Sequence, residues 1–139
     1  MTDIAADTLI QRYFDAFNAR DTEGFLDLLT DDVVHEIGQD DGRTARETGK
    51  PAFRAFLDRT TRCYEQKVVD LFVMASPDGS GATAEFTLLG VYLETDAGLP
   101  EAEGQRYARP AGAVFEIRDG KVARVSNPYP GDALNPAQA

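Results

Sequence analysis

The first half of the chain places its apolar residues at helical spacing. Between residues 9 and 21 apolar side chains recur every three or four positions, which predicts an opening amphipathic helix with Tyr13 in the middle of its covered face. A second, short helix is capped by Asp21-Thr22, carries Phe25, Leu28 and Leu29, and ends near Asp31-Asp32. A third helix begins with Pro51 in its first turn. Its helically spaced face consists of Phe53, Phe56, Leu57, Thr60 and Tyr64.

The second half of the chain changes to the alternating pattern of strands. Residues 33–37 predict a first strand, and the polar, glycine-rich stretch 38–49 predicts a loop. The later strands are predicted at residues 68–75, 82–95, 106–118 and 122–126. Turn residues at 76–81 and the pair Asp119-Gly120 join neighbouring strands, which predicts an antiparallel meander. Helices followed by strands indicate the α+β fold class.

The length of 139 residues suits one domain with a sizeable core. We expect this domain to span residues 1–130. The polar stretch 96–105 predicts a longer loop, and the Pro, Gly and Ala content of residues 131–139 predicts a loosely held tail.

Composition narrows the classes of partner. A net charge of −10 repels phosphate backbones and anionic lipids, so neither nucleic acid nor a membrane surface is an expected partner. No apolar run reaches the roughly 20 residues of a membrane span, and the N-terminus lacks signal-peptide features, so we expect a cytoplasmic protein. The single Cys63 excludes an intrachain disulfide and a cysteine zinc site.

Cofactor and metal motifs are missing from the sequence. The acidic pairs Asp31-Asp32 and Asp40-Asp41 lack metal-ligand spacing with His35. We find no phosphate-binding glycine loop, dinucleotide fingerprint or nucleophile elbow. The expected partner is therefore a small molecule or another protein, without cofactor or metal.

The two faces of the predicted strand 82–95 differ in character. Because neighbouring side chains alternate, Phe86, Leu88 and Tyr92 share one face. The opposite face, which is only partly polar, carries Glu85, Thr87, Leu89 and Val91. An apolar outer sheet face is commonly a subunit contact, so we predict a homodimer through this face.

Four segments, in their order and spacing, resemble the nuclear transport factor 2-like superfamily, particularly its SnoaL-like and ketosteroid isomerase-related members. They are QRYFDAFNARD, TDDVV, KPAFRAFL and FEIRDGKVARV. The resemblance covers nearly the whole chain. It implies a cone-shaped α+β barrel, with three N-terminal helices packed on a curved, mostly antiparallel sheet, a deep apolar pocket and usually a homodimer. It does not imply one activity, because this scaffold hosts many.

Ketosteroid isomerases of this superfamily use a tyrosine on the first helix, a carboxylate base on the first strand and a protonated aspartate on a later strand. Tyr13 matches the tyrosine position. The base position falls on Ile37, and the aspartate position falls near Gly112 or Ala113. With two of three groups unmatched, standard ketosteroid isomerase activity is not expected.

Tyr13 and His35 are the candidate catalytic residues. Tyr13 is either an ordinary core aromatic with one satisfied hydrogen bond or a donor that points into a pocket. His35 and Glu36 are neighbours on a strand, so at most one of them faces the interior, and the more apolar face of Val33 favours His35. The imidazole is either a half-buried structural group or a general base.

The remaining candidates are expected to bind the ligand. Alternation places Arg109 on the inner face, although Pro110 and Gly112 predict a bulge there. Arg109 binds either a ligand carboxylate or enolate, or an internal acid or solvent. Asn127 and Tyr129 follow the last strand at the expected pocket rim, where Asn127 is equally a turn residue. Aromatic side chains of this kind are more often core residues than pocket walls, but some are expected to line the pocket; the candidates are Phe17, Phe53, Phe56, Phe86 and Tyr92.

These residues lead to one functional hypothesis and two rivals. The chain binds a small apolar carbonyl or hydroxyl compound, with Tyr13 donating to the oxygen that gains charge and His35 moving a proton, in isomerase or lyase chemistry. A ligand carrier without catalysis, or a protein-interaction module that uses the outer sheet face, explains the same sequence.

Overall fold

A computed structural model describes residues 5–38, 44–95 and 101–130, with backbone alone at residues 37, 38, 44, 45 and 127–130. Three helices pack against one six-stranded sheet. The helices are α1 (Ala6–Ala19), α2 (Thr22–Asp27) and α3 (Lys50–Cys63). The strands are β1 (Leu29–Gly38), β2 (Thr44–Thr48), β3 (Tyr64–Ala75), β4 (Gly81–Tyr92), β5 (Arg106–Arg118) and β6 (Lys121–Pro130). This arrangement is the predicted α+β class.

The strand order is β2-β1-β6-β5-β4-β3, and neighbours are antiparallel except for the parallel pair β1 and β6. The predicted meander from β3 to β6 is confirmed. Asp119 and Gly120 both have positive φ, 56° and 74°, which is the backbone of a tight two-residue hairpin turn. The predicted 96–105 loop is described only from residue 101, and the tail 131–139 lies outside the described residues.

The second helix is shorter than predicted. Asp21 caps it, since its carboxylate accepts a hydrogen bond from Gly24 N at 3.0 Å. The helix ends at Asp27, and Leu29 already belongs to β1, where it pairs with Val122 of β6. Tertiary pairing with β6 therefore outweighs the helical spacing of Leu28 and Leu29.

The loop predicted at 38–49 contains a strand. Residues Thr44–Thr48 form β2, which pairs with β1 from Val34↔Thr48 to Gly38↔Thr44. Residues 39–43 lie outside the described part. An edge strand needs only backbone hydrogen bonds on one side, so its polar sequence gave no signal. β3 also begins earlier than predicted, at Tyr64, and β4 ends earlier, at Tyr92.

The pairing of β5 with β4 contains no bulge, whereas the pairing of β3 with β4 does. The β4–β5 register runs without a shift from Gly81↔Glu116 to Val91↔Arg106, so the prediction of a bulge near Pro110 was wrong. In β3 an extra residue falls between Val69 and Phe72, where Asp70 has a φ of 54°. Beyond this bulge the faces of β3 exchange, and Phe72 turns outward with 57% of its surface exposed.

The core fills the space between the helices and the inner face of the sheet. On β4, Leu88 and Tyr92 are buried and Phe86 is half-buried, whereas Leu89 on the opposite face is exposed, as the alternation predicts. Asn18 fixes the end of α1 to the edge strand β3. Its side-chain amide donates to Val68 O at 3.0 Å and accepts from Val68 N at 2.8 Å.

Candidate active site on the inner face of the sheet

His35 lies in an aromatic wall on the inner face of β1. Only 3% of its surface is exposed. Its ring stacks on Phe53, with 4.6 Å between centroids and 16° between planes, and meets the edge of Phe56 at 4.7 Å. Both phenylalanines come from α3, which packs over β1. The predicted inward orientation of His35 is therefore the observed one.

This environment keeps the imidazole uncharged. Burial removes water from the ring, which disfavours its protonated form and lowers the pKa of His35 from 6.5 to about 4. At neutral pH the side chain is therefore a neutral imidazole with a lone pair that can accept a proton. Such a group can act as a general base without first losing a proton.

Glu36, the next residue, faces the outer side of the sheet. Its carboxylate accepts hydrogen bonds from Arg46 Nη2 at 2.6 Å, Arg124 Nε at 2.7 Å and Ser126 Oγ at 2.9 Å. These donors, first Arg46 and then Arg124, lower the pKa of Glu36 to about 2. The carboxylate nearest the ketosteroid isomerase base position is thus turned away from the interior and bound to arginines.

Tyr13 is buried on α1, with 7% of its surface exposed. Its ring lies 4.4 Å from Phe25, 5.0 Å from Phe14 and 5.1 Å from Phe115, measured between centroids. Burial raises the pKa of Tyr13 above its ordinary value, so the hydroxyl stays protonated and can act only as a neutral donor or acceptor. No hydrogen bond joins this hydroxyl to another described residue.

Aromatic rings stand between the two candidate catalytic residues. The contacts run from Tyr13 to Phe25, from Phe25 to Phe53 at 5.4 Å, and from Phe53 to His35. Among the described rings, Tyr13 and His35 make no direct contact. One cavity beside Phe17 and another beside Gly90 lie in the described part of the chain, and neither of these two is lined by Tyr13 or His35. A cavity that holds both residues stays a prediction.

Arg109 lies on the inner face of β5 and is half-buried, as its alternation predicts. The register places it far from His35. His35 is opposite Val125, and Val125 is opposite Phe115, six residues along β5 from Arg109. Six residues of strand span roughly 20 Å. Arg109 and His35 therefore occupy different ends of the inner face.

The other predicted ligand-binding residues are spread over the same interior. Phe53 and Phe56 contact His35, and Phe86 contacts Phe14 at 5.0 Å. Tyr92 is fully buried and stacks on Tyr64 at 5.3 Å, and half-buried Phe17 lines a small cleft of about 30 Å³. The backbone of Asn127 and Tyr129 belongs to β6, but their side chains are outside the described residues.

Sequence reasoning missed a polar pair at the Arg109 end. The hydroxyl of buried Tyr107 accepts a hydrogen bond from Gln66 Nε2 at 2.7 Å. Tyr107 is opposite Gly90 on β4, and a Cβ on Gly90 would lie 2.1 Å from the Tyr107 ring, so only glycine leaves room. An isolated glycine within a strand pattern was the available signal. The charge of Arg109 acts on Tyr107, but burial dominates and raises the pKa of this phenol.

Two absences hold for the described residues. They contain no cluster of three His, Cys, Asp or Glu side chains that could hold a metal ion. None of their helices is long and apolar enough to cross a membrane.

One family model and several solved structures match this chain. The sequence model of one protein family, described as the SnoaL-like domain, matches residues 10–125 of this chain. A candidate polyketide cyclase from Pseudomonas putida is 46% identical, with a TM-score of 0.87 over 94% of this chain and 96% of that one. A candidate polyketide cyclase from Silicibacter is 40% identical, with a TM-score of 0.86 over 100% and 98%.

A third candidate polyketide cyclase, from Xanthomonas campestris, is 42% identical, with a TM-score of 0.83 over 89% of each chain. A nuclear transport factor 2-like protein from Burkholderia xenovorans, at 18% identity and a TM-score of 0.73 over 100% and 98%, shares the fold. No curated protein matches the chain.

Proposed function

Because the chain belongs to the SnoaL-like family, we propose that it catalyses proton transfer on a small apolar carbonyl compound, with His35 as the base. The observation that carries this proposal is the setting of His35. It is the only histidine of the sequence, it is buried on the inner face, and two phenylalanine rings flank it. An imidazole in that setting is neutral at pH 7, and the two phenylalanine rings beside it favour an apolar ligand.

The chemistry follows from the base and from the named relatives. Three relatives at least 40% identical are named as candidate polyketide cyclases. Forming a ring from a chain of ketones begins when a carbon next to a carbonyl group loses a proton. His35 accepts that proton and becomes imidazolium. The resulting enolate then attacks a second carbonyl carbon or is reprotonated elsewhere, and His35 returns its proton to the product.

Tyr13 is proposed as the hydrogen-bond donor to the enolate oxygen. Its phenol stays protonated, and no described residue takes its hydrogen bond. A neutral donor in an apolar interior stabilises developing negative charge strongly. The enolate oxygen is two bonds from the carbon that loses the proton, so this role needs the Phe25 and Phe53 rings to move until one carbonyl group reaches both Tyr13 and His35.

The test uses hydrogen exchange on a bicyclic ketone. 2-Tetralone in D₂O exchanges the hydrogens beside its carbonyl, and NMR follows the rate. The wild-type chain should accelerate exchange, and His35→Gln should lower the accelerated rate on the order of 100-fold. Tyr13→Phe should lower it on the order of 100-fold as well. Phe72→Ala, on the outer face, is the matched control and should match the wild type. Equal exchange by the wild type and His35→Gln would refute the proposal.

One observation favours a second candidate, a ligand carrier without catalysis. The carboxylates of ketosteroid isomerases have no inward counterpart among the described side chains of β1 and β5, since Glu36 is turned outward and the later position falls on Gly112 or Ala113. A carrier should bind 2-tetralone without accelerating exchange, and His35→Gln should leave its affinity unchanged.

We further propose that two copies associate through the outer sheet face. Leu89 and Val114 are exposed there, although both are apolar, and beyond the β3 bulge Phe72 and Met74 join them. Apolar side chains grouped on one sheet face favour contact with another protein surface. A second copy of the same chain supplies a self-complementary surface of this kind.

A further inference from the structure

A small cleft between the helices and β3 ends at the ring of Phe25. The cleft, of about 30 Å³, lies between the α1–α2 turn, α3 and the first residues of β3. Thr61 is exposed at its outer end, whereas Phe25 is only 2% exposed at its inner end. A volume of this size holds about one or two water molecules, so an organic ligand does not fit unless a wall moves.

One face of α3 leads from this cleft to His35. Phe53, Leu57 and Thr61 are spaced at four-residue intervals, so they lie on the same face of the helix. Leu57 and Thr61 line the cleft, and Phe53 stacks on the imidazole. From Phe53 to Thr61 the helix rises about 12 Å. The path from the surface to the base is therefore short and follows the inner side of α3.

Phe25 blocks this path. Besides lining the cleft, its ring lies 4.4 Å from Tyr13 and 5.4 Å from Phe53, measured between centroids. The proton-transfer mechanism already requires the Phe25 ring to move. That movement removes the inner wall of the cleft and joins the cleft to the space beside Tyr13. The change that brings the two catalytic residues onto one ligand therefore also opens the interior on this side.

We propose that the ligand enters through this cleft and that Phe25 determines which ligands pass. The inference rests on the proposed proton-transfer function, for which it makes Phe25 a specificity-determining residue. Phe17, Phe25 and Leu57 supply apolar lining, and Thr61 supplies a hydroxyl group at the outer end. This lining suits an elongated, mostly apolar ketone.

The first test measures access to His35 and does not depend on catalysis. Diethyl pyrocarbonate reacts with neutral imidazole, and ultraviolet absorbance follows the modification of the single histidine. Phe25→Leu should accelerate this modification roughly tenfold, because the inner end of the cleft is then open more often. Phe14→Leu is the matched control, since Phe14 is also buried but does not line the cleft. It should react within about twofold of the wild type, and circular dichroism checks that both variants are folded.

A second variant blocks the outer end of the cleft. Thr61→Trp adds a large ring at an exposed position, so the chain should still fold, and modification of His35 should slow roughly fivefold. Ala55→Trp adds the same ring at an exposed position on the other side of α3, outside the cleft lining. This control should leave the rate within about twofold of the wild type.

The size of the ketones that react tests the specificity. In D₂O, Phe25→Leu should raise the exchange rate of 4-phenylcyclohexanone relative to that of cyclohexanone roughly tenfold, because the smaller side chain admits the longer ketone. An unchanged ratio would overturn the specificity role of Phe25. Absence of exchange in the wild type would refute the proposed function and that role with it, whereas the modification rates decide separately on the entrance. Equal rates in Phe25→Leu and Phe14→Leu, or in Thr61→Trp and Ala55→Trp, would overturn the cleft as the entrance.

Discussion

His35 and Glu36 are adjacent in sequence and sit in opposite environments. The imidazole lies against Phe53 and Phe56 without its charge, whereas the carboxylate keeps its charge because arginines surround it. Burial lowers the pKa of the base, and hydrogen bonds lower the pKa of the acid. The alternation of one strand therefore separates the group suited to proton transfer from the group suited to holding strands together.

The same contrast extends to the phenylalanines of the two faces. Phe53 on α3 is 2% exposed and contacts both His35 and Phe25, whereas Phe72 on the outer face is 57% exposed. The Phe53 ring belongs both to the wall of the candidate site and to the core. The Phe72 ring contributes little to the stability of a single copy.

Exchanging Phe53 for alanine should give the largest effect. Removal of a buried aromatic ring leaves a cavity, so we expect a loss of about 3–5 kcal/mol in the free energy of unfolding. Chemical denaturation followed by circular dichroism measures it. Phe72→Ala is the matched control, with an expected change within about 0.5 kcal/mol when both variants are compared as single copies at low protein concentration. Similar losses in both variants would contradict the contrast between the faces.

As the pH falls, protonation of His35 should destabilise the chain at a higher pH than protonation of Glu36 does. Between pH 6.5 and about 4 the unfolded chain binds a proton at His35 that the folded chain does not, so stability falls as the pH falls. The part of the free energy of unfolding that depends on the neutral His35 ring is fully present above pH 6.5 and is lost as the pH falls to about 4. It amounts to about 3 kcal/mol. Unfolding curves recorded from pH 7.5 to 4 should show this slope, and in His35→Gln the slope should disappear between pH 6.5 and 5, above the range in which the Glu36 contribution is lost. A slope that persists unchanged in the variant would assign it to other groups.

Removing the Glu36 carboxylate should have a smaller effect. Glu36→Ala leaves Arg46 and Arg124 without their acceptor, but both arginines are partly exposed to water, so we expect a loss of about 1 kcal/mol at pH 7. The stability that the carboxylate provides is present above pH 4.5 and is lost as the pH falls toward 2. The pH 6.5 to 4 slope should therefore survive in this variant. Its disappearance would mean that the two faces are coupled.

A charge on the outer face should affect the stability of one copy least. Leu89→Asp should change the free energy of unfolding within about 0.5 kcal/mol in a monomer, because Leu89 is already exposed. In the proposed dimer it buries a charge at the contact, so sedimentation velocity should show dissociation. Leu89→Asp that sediments as the wild type would remove this face from the contact.

Much of this fold follows from periodicity, and what does not follow depends on partners far along the chain. Local rules predict that the His35 side chain points inward, that Arg109 lies on the inner face, and that Asp119-Gly120 forms a turn. Strand β2 has a polar sequence and exists because β1 offers it a free edge. Local sequence shows no sign of that edge.

The sequence also did not predict that the candidate site residues lie far apart in the fold. Alternation assigns a face to Arg109 but not its position along the sheet, which depends on the registers of β6 with β1 and β5. The two rings between Tyr13 and His35, Phe25 and Phe53, come from two different helices, and their packing is a property of the assembled core.

A proton NMR titration of the imidazole tests the central claim most directly. His35 is the only histidine, so in protein without a histidine tag its ring resonances are assigned without ambiguity. The account predicts a pKa of about 4, with the neutral ring present throughout the physiological range. A pKa at or above 6.5 would contradict it, because the imidazole would then be hydrated or paired with an acid instead of enclosed by Phe53 and Phe56.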